Sequence, residues 1–133
     1  MQISSLRLTL ASVLVVAGLA AARVDLSAHH SFAVFDMGSE KTVTGTVSKF
    51  EWTNPHTFIF VDATNDKGVM ETWAIEGMSP NYLGRRGWSK TSVKPGDRIT
   101  VTVRPLKDGK AGGMFVRALL DGKTMLQTGQ PTE

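Results

Sequence analysis

The chain has 133 residues, a formal net charge of +3, 41% hydrophobic residues and no cysteine. This length supports one domain with a modest core, and the lack of cysteine excludes a disulfide framework, a thiolate metal ligand and a cysteine nucleophile. The charge is only mildly basic. Nucleic-acid binding normally needs Lys and Arg clustered on one face, so no nucleic-acid partner is expected.

The first 28 residues predict a secretory signal peptide. Arg7 precedes an apolar run over residues 8–22, which is about 15 residues long and shorter than the ~20 that a membrane span needs. Cleavage is expected after Ala28, and cleavage after Ala22, which follows two small residues, is the alternative. We therefore expect the mature protein to be periplasmic or secreted, with no membrane attachment after signal cleavage.

Strand patterns begin after an expected N-terminal arm at residues 29–40 and continue over a domain at 41–126, which a frayed tail at 127–133 follows. A long first strand is predicted from residue 43. Apolar and polar residues alternate over 43–47, and the apolar register then shifts to Phe50 and Trp52, which indicates a bulge or sharp coil within the strand. The second strand is predicted at 56–62 and the third at 69–76, joined by a hairpin loop.

A short helix is predicted over residues 80–86, because Ser79 can cap it, Pro80 suits its first turn and Gly87 suits its end. A turn at 94–97 leads into a fourth strand at 99–103. A glycine-rich loop then precedes a fifth strand at 114–120 and a short last segment at 124–126.

This order of elements predicts a mainly β fold, a small five- to six-stranded OB-like barrel with one short helix between the third and fourth strands. Closing the sheet would also remove exposed strand edges. A small immunoglobulin-like sandwich is the alternative, although it would need about seven strands and no helix at that point. Neither architecture determines what is bound.

Six short segments together resemble a bacterial family of small exported proteins of unknown function, the DUF6152 group. They are HHSFA (29–33), EWTNPH (51–56), WAIEG (73–77), SPN (79–81), RRGW (85–88) and KPGD (94–97). The resemblance spans nearly the whole mature chain and implies a periplasmic, barrel-like domain. It implies no activity and supplies no catalytic residues.

The three histidines are the first candidate site. Cleavage after Ala28 would place His29 and His30 at the amino terminus, where an α-amine, an amide nitrogen and imidazoles form a donor set that suits Cu(II) or Ni(II). The amine has an ordinary pKa of about 8, so it can deprotonate at modest cost near neutral pH. His56 could supply a third imidazole if the arm folds back towards it. A structural zinc site is disfavoured because the chain has three histidines and no cysteine.

The second candidate site combines aromatic, amide and guanidinium side chains. Its members are Trp52, Asn54, Tyr82, Arg85, Arg86 and Trp88. Aromatic rings beside arginines can stack on sugars, bases or partner side chains, while guanidinium groups hold carboxylate or phosphate. The alternative interpretation is structural: Trp52 and Trp73 fill the barrel and Trp88 plugs its open end.

No enzyme signature is present, because the chain lacks Gly-x-Ser-x-Gly, and no pair of acids has a context that would split their pKa values. We expect a non-enzymatic exported protein that binds or handles copper through His29, His30 and His56, with copper as the one cofactor suggested. The alternative is an OB-like adaptor or ligand-binding module for a periplasmic protein or small ligand, using the surface around residues 82–88.

Overall fold

The computed structural model describes residues 32–127, with side chains up to residue 123. The elements in chain order are a 3-10 turn Phe32–Val34, β1 Lys41–Glu51, β2 Phe58–Thr64, β3 Met70–Glu76, α1 Pro80–Gly84, β4 Arg98–Pro105, β5 Gly112–Leu120 and β6 Thr124–Gln127. None of the helices in this part of the chain has the length and apolar character needed to cross a membrane.

The strands form one sheet that closes on itself. Their order is β3-β2-β1-β4-β5-β6, and β3 also pairs with β5 in parallel, which joins the two sides of the sheet. A three-strand meander, a helix before the fourth strand and closure of the fifth strand on the third define a five-stranded barrel of OB type. The predicted mainly β barrel with one short helix is therefore confirmed, and the sandwich alternative is wrong.

β1 is coiled and contributes to two parts of the barrel. Its first half pairs with β4, its second half pairs with β2, and a bulge lies between Val47 and Lys49. Gly45 lies near the point where the partner changes, and a Cβ atom there would collide with the carbonyl oxygen of Asp62. The predicted long first strand with a bulge is therefore confirmed, and it begins at Lys41, two residues before the alternation.

The core is built from the inward residues of the strands, together with Leu83 of α1 and two residues of the following segment, Trp88 and Val93. Trp73 and Trp88 are 5% and 8% exposed. The Trp88 ring meets Phe115 edge-on, with 5.4 Å between the ring centroids. Both tryptophans therefore pack the interior, as the structural interpretation expected.

Several element boundaries differ from the predicted ones, and two of these differences have a clear local cause. β2 begins at Phe58 rather than at 56, because the Thr57 N–H donates to the Met78 carbonyl outside the strand ladder. α1 ends at Gly84 rather than at 86, because the Leu83 carbonyl accepts N–H bonds from both Arg86 and Trp88, which turns the chain out of the helix. Local contacts with neighbouring segments set both ends.

The described part of the arm, residues 32–40, packs on the barrel. Phe35 is 3% exposed and forms an isolated antiparallel bridge with Leu106 just after β4. The Asp36 N–H donates to the Pro105 carbonyl at 2.8 Å, and the Lys107 N–H donates to the Val34 carbonyl at 2.9 Å. The expected signal peptide, His29, His30 and the tail from residue 128 lie outside the described residues.

Candidate functional site

His56 and Glu76 contact each other beside the end of the barrel from which α1 departs. His56 lies just before β2 and Glu76 is the last residue of β3, and the His56 Nδ1 contacts a Glu76 carboxylate oxygen. The two side chains are 36% and 23% exposed. Because Nδ1 faces the carboxylate, Nε2 is the ring nitrogen left for a ligand. A carboxylate in this position is the usual outer partner of a metal-binding histidine.

The segment that carries His56 is fixed by bonds to the chain that follows β3. The Thr57 Oγ1 and N–H both donate to the Met78 carbonyl, at 3.0 Å and 3.2 Å, and the Gly77 N–H donates to the Thr57 carbonyl at 2.8 Å. Thr57 itself is 1% exposed. These bonds tie the start of β2 to the end of β3, so they hold the His56 ring next to Glu76.

Within residues 32–123, no three His, Cys, Asp or Glu side chains lie close enough together to hold a metal ion. His56 and Glu76 are thus a pair, and a metal site built on them needs donors from elsewhere. The other two predicted ligands, His29 and His30, lie outside the described residues, so the structure does not locate them.

The aromatic and arginine set is only partly brought together. The Arg86 guanidinium carbon lies 3.5 Å from the centroid of the Tyr82 ring, and its Nη1 donates to the Tyr82 carbonyl at 3.3 Å. Arg85 and Asn54 are exposed. Arg86 is therefore bonded within its own turn, and Arg85 is the arginine that projects to solvent.

The two tryptophans of this set point elsewhere. Trp52 is half-buried and meets Phe50 edge-on, with the ring centroids 5.8 Å apart, on the border of the core. The sequence predicted that Trp88 lies on the binding surface, and this prediction is wrong. The residue is buried because its ring packs against Phe115. The six residues do not form one exposed surface.

An aromatic surface on the outside of β2 escaped the sequence analysis. The rings of Phe58 and Phe60 are stacked, with centroids 6.2 Å apart and planes inclined by 26°. Lys49 Nζ lies 5.6 Å from the centroid of Phe60. We call Phe58 and Phe60 the phenylalanine face. The available signal was the unbroken apolar run at 58–61, since a strand with one face on the core needs only alternate apolar residues.

Two carboxyl groups outside this region have shifted pKa values. The Ser39 hydroxyl and then the Gly38 N–H donate to Asp36 and lower its pKa. The pKa of Asp108 is lowered in the same way, first by the N–H of Lys110 and then by its side chain. Both aspartates stabilise exposed turns, and neither belongs to the His56–Glu76 pair.

The sequence matches the profile of a family of unknown function, DUF6152, over residues 15–116. The chain belongs to this family. Among curated proteins, no sequence matches the chain. A solved structure with a similar fold is the mitochondrial single-stranded DNA binding protein Rim1 from S. cerevisiae, which is 11% identical. The match covers 65% of this chain and 96% of that chain, with a TM-score of 0.47.

Proposed function

We propose that this member of the family is an exported, non-enzymatic binding protein of the periplasm that holds copper(II) through His29, His30 and His56. The observation that supports this proposal is the contact between His56 Nδ1 and Glu76. It orients the ring and selects the nitrogen offered to the metal. Neutral imidazole and amine nitrogens are the donors that Cu(II) prefers in tetragonal geometry.

The test is a native mass spectrum of the protein recovered from the periplasm, with and without one equivalent of Cu(II). We expect a mass that begins at His29, with one copper ion retained. The variant His56→Ala and the double variant His29→Ala with His30→Ala should each lose the ion, because each removes donors from the site. A mass that begins at Arg23, or copper retained equally by His56→Ala, would contradict the proposal.

A matched pair of carboxylates tests the contribution of Glu76. Glu76→Gln keeps the size of the side chain but removes its charge, and loss of such an outer partner typically weakens metal affinity 10–100-fold. Glu51→Gln is the control, since Glu51 pairs with Lys49 rather than with a histidine. Competition titration with a Cu(II) chelator should separate the two variants. Equal affinities would show that Glu76 does not support a metal ligand.

The second candidate, partner binding around residues 82–88, has less support. Arg86 is bonded to Tyr82 and Trp88 is buried, which leaves Arg85 as the exposed arginine of the group. If this surface works instead, Arg85→Ala should weaken capture of a periplasmic partner while leaving copper retention unchanged. Equal capture by Arg85→Ala and the wild type would remove this candidate.

A further inference from the structure

We propose that the stretch of chain from the end of α1 to the start of β4 binds the phosphate groups of an anionic lipid bilayer. We call residues 85–98 the basic segment. Its exposed cations are Arg85, Lys90, Lys94 and Arg98. This function is separate from copper binding and does not rest on it. Binding of this kind is electrostatic, so it needs no apolar anchor.

The positive charge of the described chain is concentrated in the basic segment. Residues 85–98 contain five basic residues and one acid, whereas the rest of residues 32–123 contains eight basic and nine acidic residues. The barrel outside the segment is therefore close to neutral. A local excess of four positive charges gives this part of the surface a field that attracts anions.

The exposed cations of the segment are not paired with acids. Outside the segment, carboxylates pair with basic side chains such as Lys49, Arg104 and Arg117. Within residues 32–123, no carboxylate forms such a pair with Arg85, Lys90, Lys94 or Arg98. The one acid of the segment, Asp97, accepts the Lys94 N–H at 2.7 Å and so serves the turn. The four cations are therefore available to an external anion.

Burial of the apolar residues directs the cations away from the barrel. Trp88 and Val93 lie between the cations in sequence, and they are 8% and 1% exposed because their side chains belong to the core. Backbone bonds also tie the segment to β1. The Gly96 N–H donates to the Val47 carbonyl at 2.8 Å, and the Val47 N–H donates to the Asp97 carbonyl at 2.9 Å. One side of the segment thus lies against the barrel, and its exposed side chains project from the other.

The exposed residues favour a lipid surface over a protein or a nucleic acid. The structure describes the whole segment, and none of its large apolar side chains is exposed, whereas a protein interface normally has an apolar or aromatic centre. Single-stranded nucleic acid stacks its bases on aromatic rings, but Trp88 is buried and the Arg86 guanidinium lies over the Tyr82 ring. A layer of lipid phosphates needs only nearby cations, and clusters of about four to eight Lys and Arg residues are typical of segments that bind anionic lipids.

The experiment is co-sedimentation of the purified protein with lipid vesicles, in a buffer with EDTA so that copper has no part. Vesicles of phosphatidylglycerol and phosphatidylcholine in equal parts are compared with vesicles of phosphatidylcholine alone. We expect binding to the first kind and none to the second. Binding should be lost in about 1 M salt, because the screening length falls there to about 3 Å from about 10 Å in 0.1 M salt.

Substitutions in the segment test where the vesicles bind. Lys90→Ala and Lys94→Ala should each weaken binding about fivefold, and the double variant about 25-fold, because each cation near an anionic surface adds a similar attraction. The matched control is Lys67→Ala, which removes an exposed lysine from the β2–β3 loop and should bind like the wild type. The double variant Lys90→Arg with Lys94→Arg keeps both charges and should retain binding.

Thermal unfolding of each variant separates loss of the site from loss of the fold. Failure of the folded wild type to bind phosphatidylglycerol vesicles at low salt would overturn the proposal, as would an equal loss in Lys67→Ala. Tighter binding of polyglutamate or of a thymidine oligonucleotide, weakened by the same double alanine variant, would overturn the ligand class. His56→Ala should bind vesicles like the wild type, so this result and the copper measurement are independent.

Discussion

At the scale of the residue, two members of one predicted cluster take opposite positions in the structure. Trp88 lies in the core against Phe115, whereas Arg85, three residues earlier, is exposed. The sequence shows both as members of one polar and aromatic cluster. It could not show which faces outward, because that depends on the turn in which the Leu83 carbonyl accepts two N–H bonds.

Trp88→Ala should lower the free energy of unfolding by about 3–5 kcal/mol, because it leaves a cavity beside Phe115. Arg85→Ala is the control and should change stability by no more than about 0.5 kcal/mol, as exposed substitutions usually do. Urea unfolding followed by circular dichroism measures both. Similar losses in the two variants would show that Trp88 does not support the core.

The phenylalanine face shows what residue patterns do and do not reveal. Phe58 and Phe60 were visible in the sequence as β-formers, and their apolar run exceeds what one buried face requires. The pairing of Phe60 with Ala74 and the closeness of Lys49 to the Phe60 ring depend on strand register. The register of the β2–β3 hairpin could be approximated from the sequence, but the position of β5 beside β3 could not.

At the scale of the element, the arm belongs to the domain, although the sequence patterns predicted that it lies outside the barrel. Residues 29–40 lack a strand period, so the sequence placed them before the barrel. In the structure, Phe35 is buried and the arm exchanges backbone hydrogen bonds with residues 105–107. Such a contact depends on where β4 ends, and a lone bridge leaves no periodic signal.

Phe35→Ala should destabilise the protein by about 3 kcal/mol, because a buried phenyl ring is lost. It should also release the Lys107 N–H, which donates to Val34. Hydrogen exchange of that amide measures the arm directly, and we expect exchange to accelerate more there than in β1. Unchanged protection of Lys107 would mean that Phe35 does not anchor the arm.

Asp36 gives the arm a dependence on pH. Its pKa is lowered in the folded state by the Ser39 hydroxyl and the Gly38 N–H. The folded protein therefore favours the charged form. The stabilisation is present above the unfolded pKa of about 3.9 and is lost as the pH falls through the folded value.

Asp36→Asn should accordingly speed hydrogen exchange of the Lys107 amide at neutral pH. It should also remove the loss of protection of that amide on acidification. Asp108→Asn is the matched control, because the pKa of Asp108 is also lowered but by its own exposed loop. It should leave arm protection and its acid dependence unchanged. If both variants behave alike, the Asp36 turn does not hold the arm.

At the scale of the whole molecule, closure of the barrel rests on a short parallel pairing. Three residues of β3, Ala74 to Glu76, meet three residues of β5, Gly112 to Met114. The antiparallel hairpins and the helix position could be predicted from alternation, turns and capping residues. The pairing of β3 with β5, which lie more than 30 residues apart, could not be predicted from the residues of either strand. Only the order of the elements suggested it.

The two glycines at this closure should tolerate substitution unequally. A Cβ atom on Gly113 would lie 2.6 Å from the Arg104 carbonyl oxygen, which is backbone and cannot move aside without distorting β4. A Cβ atom on Gly112 would lie 2.8 Å from Leu106 Cδ1, the end of a flexible side chain. Gly113→Ala should therefore cost about 1–3 kcal/mol, the usual range for overpacking, and Gly112→Ala should cost less.

The same pair of variants tests whether the barrel unfolds as one unit. Far-ultraviolet circular dichroism reports the strands, and tryptophan fluorescence reports the Trp73 and Trp88 environments within the core. A small closed barrel with one core should give coincident transitions by the two probes in each variant. If Gly113→Ala instead separates the transitions, the β3–β5 pairing opens before the meander unfolds, and closure contributes less to stability than the core that the strands share.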